Sequence, residues 1–332
     1  MNPSRPRIVV LTSAELGPPP GLGRLQDRAE VQVVDAAGLE QALPGARGLF
    51  LWDFFSAALR DAWPAADALE WVHVAAAGVD SLLFDELRDS EVVVTNAHGV
   101  FDRPIAEFVL ASILAFDKRL HESMRLQREH TWRHRETASV RGSRVLVIGT
   151  GGIGREIARL LRAVGAQVRG AGRRAVDDDP DFGVVLRSDA LPEHVGWADH
   201  VVNATPLTPS TTGLLDAAVF AAMRPGAHVV NIGRGASLVE QDLLEALRAG
   251  ALGGASLDVL TQEPPDQGSP LWDAPGLVLS AHLSGDVLGW RDTLAEQFLE
   301  HAHRWLAGQP FDTVVDTRLG YVPRATPDRS RG

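Results

Sequence analysis

The stretch Val145–Arg174, VLVIGTGGIGREIARLLRAVGAQVRGAGRR, constrains the fold more than any other part of the chain. An apolar run ends in Gly149-x-Gly151-x-x-Gly154, and a segment follows with Ile157, Leu160, Leu161 and Val164 on one helical face. Strand, glycine turn, helix and second strand within about 30 residues make a βαβ unit of the dinucleotide-binding type. Glycines there permit the tight turn, the close approach of a pyrophosphate and close packing of helix on strand, while the helix N-terminus favours an anion. A merely structural glycine-rich turn is the competing reading, and the strand before it and the helix after it weigh against that reading.

The second strand, Gln167–Gly170, ends just before Arg173, nineteen residues after Gly154. An acidic residue at this place would accept hydrogen bonds from the adenosine ribose of NAD. Arg173 and Arg174 instead offer charge to a 2′-phosphate, so NADP is expected as the preferred cofactor, with NAD possible. Hydrogen bonds to charged groups contribute roughly 1.5–3 kcal/mol, a preference of about one to two powers of ten. The competing reading makes both arginines solvated residues ahead of the acidic run Asp177–Asp181, which is itself expected to be a solvated loop rather than a metal site.

Composition removes several chemistries. A chain of 332 residues exceeds one typical domain, and 45% hydrophobic content suffices for two cores. The formal charge of -11 argues against sequence-independent nucleic-acid binding, which rests on Lys and Arg neutralising phosphates. Absence of cysteine excludes disulfides, thiolate nucleophiles and Cys-ligated zinc. Lys118 is the only lysine against 31 arginines, which leaves Schiff-base chemistry and a phosphate-loop lysine almost no candidates. Tyr321 is the only tyrosine and has no lysine four residues on, so the Tyr-Lys pair of short-chain dehydrogenases is ruled out. The N-terminus has too short an apolar run for a signal peptide and no run of 18 apolar residues exists, so no membrane contact and a cytoplasmic location are expected.

Short apolar runs alternate with helix-compatible segments along the first hundred residues: RIVVL, VQVV, GLFLW, WVHVAAA and EVVVTN read as strands buried on both faces. A long helix is expected from Pro104, with Ile105, Phe108, Val109, Ser112, Ile113, Phe116 and Leu120 on one face and the proline as its first residue. A second alternating series runs from Arg144 to His282, followed by a helix over Trp290–Trp305 and the short apolar run of AGQPFDTVVD. The expectation is an α/β protein of two doubly wound domains. A Rossmann nucleotide domain, 104–285, is inserted into a flavodoxin-like substrate domain made of 1–103 and 286–332. A Pro/Arg-rich tail ends the chain.

Three segments of the second series place polar residues just past strand ends: NIGRG with Arg234, LDVLTQEPP with Asp258 and Glu263, and SAHLSG with His282. In a doubly wound sheet all of them open onto the carboxyl edge, where the ligand crevice lies.

With AAAGVD, GTGGIG, ATPLTPSTTG, NIGRGASLVE, LDVLTQEPP, PLWDAPGLVLSAHLSG, HRWLAGQP and LGY in this order, the chain resembles the D-isomer-specific 2-hydroxyacid dehydrogenases over nearly its whole length. It is nearest to glyoxylate/hydroxypyruvate reductases. The resemblance implies that His282 donates a proton to the substrate carbonyl oxygen, that Glu263 is its partner and that Arg234 grips the carboxylate of a small 2-oxo acid. Backbone amides of Ala76, Ala77 and Gly78 complete the substrate site. The cofactor is implied to lie along Gly149, Gly151, Gly152, Ile153, Gly154, Arg173, Arg174, Thr205, Ile232 and Asp258, with Gly152 and Ile153 near the pyrophosphate, Thr205 near the adenosine and Asp258 at the nicotinamide carboxamide. No metal is called for. Trp132 and the helix before it resemble the family's dimer arm, so a homodimer is expected, against a reading of Trp132 as core packing. Ala281 stands where formate dehydrogenases of the superfamily carry glutamine, which disfavours formate oxidation, and no residues remain for the regulatory domain of many phosphoglycerate dehydrogenases. The alternative is a nucleotide-sensing binding protein like the corepressors of the same superfamily.

Overall fold

The computed structural model describes residues 5–80 and 82–323; the Pro/Arg-rich tail, with the end of the expected 286–332 segment, lies outside the described residues. The chain divides into two compact units, Met1–Val100 with Leu288–Gly332, and Phe101–Val287.

The first unit carries five strands, β1 Arg7–Leu11, β2 Glu30–Val34, β3 Gly48–Leu51, β4 Trp71–Val74 and β5 Val93–Asn96. All pair in parallel in the order β2-β1-β3-β4-β5, the flavodoxin-like winding. Strands β3 and β4 are buried at every position, which is why GLFL is an unbroken apolar run and WVHV carries a single polar residue, the buried His73. The helix Trp290–Leu306 belongs to this unit. Its Phe298 ring stacks on Phe50 at 3.9 Å and on Trp71 at 5.6 Å between centroids, and its His301 meets His73 edge-on. Beyond that helix, the Val315 N–H donates to the Val94 carbonyl at 2.8 Å and its side chain is buried in a second core cluster with Leu49, Val72 and Val94.

The second unit opens with the helix Asp102–Asp117, two residues earlier than expected, so Pro104 is the third helical residue. It is tolerated there because N–H groups of the first turn have no intrahelical acceptor. Eight strands follow: β6 Arg144–Ile148, β7 Gln167–Gly172, β8 Val176–Asp179, β9 Gly183–Arg187, β10 His200–Asn203, β11 Ala227–Asn231, β12 Leu252–Leu257 and β13 Leu277–Leu279. Their order is β13-β12-β11-β10-β6-β7-β9-β8. Seven are parallel and β8 runs antiparallel along the rim. The winding reverses between β6 and β10, the switch point at which doubly wound sheets bind ligands.

Strands β8 and β9 depart from the sequence reading, which made Asp177–Asp181 a solvated loop. Asp179 is buried, and Arg155 of the helix Gly152–Ala163 reaches both of its oxygens, at 2.9 and 2.8 Å, and Asp181 Oδ2 at 2.7 Å. The Arg155 guanidinium, with the Asp181 and Phe182 N–H groups, holds the Asp179 carboxyl down at about 2. Trp132 is 101% exposed, so it is not core packing. Among the described residues no helix is long and apolar enough to cross a membrane, and no group of His, Asp or Glu could hold a metal ion.

Candidate active site

The glycine turn between β6 and the helix Gly152–Ala163 shows why each glycine is there. Gly149 has φ 105, and a Cβ on it would lie 2.6 Å from the Ala204 carbonyl oxygen. A Cβ on Gly154 would lie 1.9 Å from Gly149 O, and one on Gly152 2.4 Å from the Asp102 carboxylate. At Gly151, the N-cap, a Cβ would meet nothing within 4 Å. Gly151 is therefore small because of space outside the protein rather than within it, and the N–H groups of Gly152 and Ile153 begin a helix whose first turn lacks internal acceptors. A bare cradle before a helix N-terminus fits the pyrophosphate of a dinucleotide. Strand β7 extends to Gly172, which leaves Arg173 and Arg174 exposed directly beyond its carboxyl end.

Arg234 stands between two glycines for an equally specific reason. A Cβ on Gly233 would lie 2.7 Å from Thr205 O, and one on Gly235 1.9 Å from the Leu260 carbonyl carbon. The turn after β11 is thus pressed between the loops that follow β10 and β12. A buried polar network fixes it: Asn203 donates to Asn231 at 2.9 Å and to Ser237 at 2.6 Å, Thr205 donates its hydroxyl to Asn203 at 2.8 Å, and Asn231 donates to the Arg234 carbonyl at 3.1 Å. Ile232 is buried beside it, its N–H on the Asn203 carbonyl.

Glu263 and His282 come together, though nineteen residues apart in sequence. One Glu263 oxygen accepts the Leu260 N–H at 2.8 Å; the other faces His282 Nδ1 at 2.8 Å. Burial alone would raise the Glu263 carboxyl, but the hydrogen bonds from His282 and Leu260 outweigh it and hold the group below the ordinary range. An ionised carboxylate only accepts, so Nδ1 carries the proton and donates it. That hydrogen bond raises the His282 imidazole above its ordinary value against the opposing pull of burial and the repulsion of Arg234. His282 also has φ 52, a left-handed conformation that costs a non-glycine residue on the order of 1–3 kcal/mol and persists only where surrounding contacts enforce it. Asp258 supplies them: its buried carboxylate accepts from Ser280 Oγ, Leu283 N and Ser284 N. Three of its roughly four lone-pair directions are thereby used.

In the first unit, Ala76, Ala77 and Gly78 follow β4. The Ala76 carbonyl accepts the Ala97 N–H at 3.0 Å, and the Ala77 carbonyl accepts Asn96 Nδ2 at 2.5 Å. In a trans peptide the N–H points opposite to the carbonyl, so the amides of Ala77 and Gly78 are turned away from the β5 end.

Sequence reasoning missed Ser280 and Arg155. For Arg155 a signal existed: Arg155, Arg159 and Arg162 recur at helical spacing opposite an acidic run. For Ser280 there was none, since a serine two residues before a histidine is unremarkable until the backbone turns.

Residues 110–284 match the D-isomer specific 2-hydroxyacid dehydrogenase, NAD binding domain. Over 308 residues the chain is 30% identical to a glyoxylate/hydroxypyruvate reductase A of Serratia proteamaculans (strain 568), covering 86% of this chain and 95% of that protein. An NADPH-dependent glyoxylate/hydroxypyruvate reductase from Sinorhizobium meliloti, solved with NADP and sulfate, is similar with a TM-score of 0.80 and 29% identity, over 96% of this chain and 100% of that one. A D-isomer specific 2-hydroxyacid dehydrogenase from Xanthobacter autotrophicus Py2, solved with NADPH and MES, gives 0.78 and 29%, over 95% and 99%. With a dinucleotide cradle, an arginine turn and a histidine–carboxylate pair past the strand ends of one doubly wound sheet, the chain belongs to the D-isomer specific 2-hydroxyacid dehydrogenase family and is an NAD(P)-dependent oxidoreductase.

Proposed function

We propose that the chain reduces a small 2-oxo acid, of the glyoxylate or hydroxypyruvate kind, to the D-2-hydroxy acid, with NADPH preferred over NADH. The observation that carries this reading is the His282–Glu263 hydrogen bond of 2.8 Å, which keeps a protonated imidazole available near neutrality. NADPH bound along the Gly149–Gly154 cradle supplies the hydride. Arg234 binds the substrate carboxylate in its planar fork and polarises the carbonyl. The first unit offers the amides of Ala76, Ala77 and Gly78 for substrate binding. His282 gives the Nε2 proton to the carbonyl oxygen as the carbon is reduced, and Glu263 holds the ring by Nδ1 throughout. Thr205, Ile232 and Asp258 line the cofactor, and Arg173 and Arg174 read its 2′-phosphate. In this reading 104–285 is the cofactor domain and the two flanking segments, 1–103 and 286–332, form the substrate domain. The exposed Trp132 arm then serves to join two copies as a homodimer.

The test is the initial rate with glyoxylate, hydroxypyruvate, pyruvate and a phenyl-bearing 2-oxo acid, each with NADPH and NADH at equal concentration. Turnover led by glyoxylate or hydroxypyruvate with NADPH is expected. Replacing Arg173 and Arg174 by Ala should weaken NADPH about tenfold and leave NADH nearly unaffected; equal losses for both cofactors would remove the phosphate-reading role.

A further inference from the structure

The hold on His282 extends well past its contact with Glu263. Ser280 N–H still pairs with the Leu257 carbonyl at 2.9 Å, continuing the β12–β13 ladder by one residue. Two residues later the His282 N–H donates to the Asp258 carbonyl at 2.9 Å, and the backbone has turned to φ 52. The Asp258 carboxylate spans this turn. Its Oδ1 accepts the Ser280 hydroxyl at 2.6 Å and the Leu283 N–H at 3.0 Å, and its Oδ2 accepts the Ser284 N–H at 2.9 Å. One donor precedes the strained residue and two follow it. Asp258 is only 1% exposed, so water cannot take over these bonds. Two of the three donors are main-chain groups that any residue provides; the Ser280 hydroxyl is the one that depends on side-chain identity.

We propose that Ser280 is a positioning residue for the proton donor: its hydroxyl fixes the Asp258 carboxylate, which holds His282 in the left-handed backbone conformation that sets the imidazole on Glu263. The inference rests on the role given to His282 above. Ser280 acts through Asp258 and the loop. Without the hydroxyl, the carboxylate keeps only the Leu283 and Ser284 N–H groups, both beyond His282, and the turn loses the contact that ties its start to its end. His282 then samples less strained backbone conformations in which the imidazole leaves Glu263.

Ser280→Ala and Ser280→Thr in the full chain test this, with Thr retaining the hydroxyl. Three quantities are read: kcat and KM with glyoxylate and NADPH, the Kd of NADPH by fluorescence, and the titration of the His282 ring in the cofactor-free protein by NMR, its signal identified with His282→Asn. The expected result for Ser280→Ala is a kcat lower by about tenfold, the loss of one hydrogen bond to a charged group. NADPH affinity should fall less than kcat, since Asp258 also lines the cofactor, and His282 should titrate lower, toward the ordinary imidazole value. Ser280→Thr restores both. Parental kcat and parental titration in Ser280→Ala overturn the proposal. So does a loss of kcat that leaves the titration in place and is not rescued by Thr, since that is general destabilisation. Full activity in His282→Asn is a different failure, that of the functional reading itself, and it leaves the titration arm able to report on the loop.

Discussion

Two histidine–carboxylate pairs sit at opposite ends of the eight-stranded sheet. At the amino ends of the strands, His200 Nε2 lies 3.3 Å from Asp117 Oδ1, with side chains 2% and 4% exposed. Past the carboxyl ends, His282 Nδ1 lies 2.8 Å from Glu263 Oε2, with side chains 37% and 35% exposed. His200 also meets His228, whose ring lies flat on Phe116 with 4.3 Å between centroids and shares a hydrogen bond with Ser256 at 3.1 Å. Burial, and then the neighbouring His200 and His121, push His228 well below the ordinary imidazole value. His282 is pushed the other way by Glu263. A histidine near a carboxylate is therefore not by itself an acid. Access to solvent separates the two pairs: His282 and Glu263 are open at the strand ends, and His200 and Asp117 are sealed in packing.

The most severe way to break this comparison is to remove each imidazole. His282→Asn should lower kcat by roughly 10³, within the range for loss of a general acid, with little change in melting temperature. His200→Asn should do the reverse, costing about 3–5 kcal/mol of stability in denaturant melts while kcat is retained, because it leaves a buried carboxylate unpaired. A His200→Asn protein that melts like the parent and does not turn over would dissolve the distinction.

The pH profile sharpens it. A raised His282 pKa keeps the ring protonated above its ordinary 6.5, so reduction should fall as pH rises through the raised value. Glu263→Gln should move that descending limb to lower pH by about one unit, since the partner's charge is lost. His228, packed beside the buried pair, predicts the opposite dependence for stability: it is depressed, so the stability it contributes is present above 6.5 and lost as pH falls toward its own lower value. His228→Gln should flatten that acid limb in melts at a series of pH values. The smallest effect belongs to Arg234, which repels the imidazolium; Arg234→Ala should raise the His282 titration in the cofactor-free protein by less than Glu263→Gln lowers it.

Most of the fold was legible because parallel strands covered on both faces are written as short apolar runs. Each predicted run became a strand, though several ended three or four residues early. WVHVAAA stops pairing at Val74, and the alanines that follow are spent on a turn. Strand β8 was not legible, because an acidic run has low strand propensity and gains its order from Arg155, Arg159 and Arg162 across the helix. Strand β9, GVVLR, is a short apolar run that the sequence reading passed over. That Glu263 and His282 share one edge of the sheet followed from topology, as both lie past strand ends; their pairing was implied by the family resemblance. What sequence could not reveal is how His282 is held: a positive φ on a non-glycine residue leaves no mark in a one-dimensional pattern, and neither does a carboxylate spent on three loop donors. Nor does sequence say why Arg234 stands between two glycines: Gly233 and Gly235 make room for two neighbouring loops.

The rim strand β8 has a consequence beyond anchoring. The outer strand of an open sheet presents unpaired backbone groups that a strand from another molecule can extend, the first step of ordered aggregation. Here that strand is Val176–Asp179, with Asp177 and Asp178 exposed and a register irregularity in its pairing with β9. A second copy arriving edge to edge would set carboxylates against carboxylates on a bent template. The opposite rim, Leu277–Leu279, is only three residues long. The largest sheet of the molecule thus ends on one side in charge and on the other in brevity, and both discourage polymerisation through its edges.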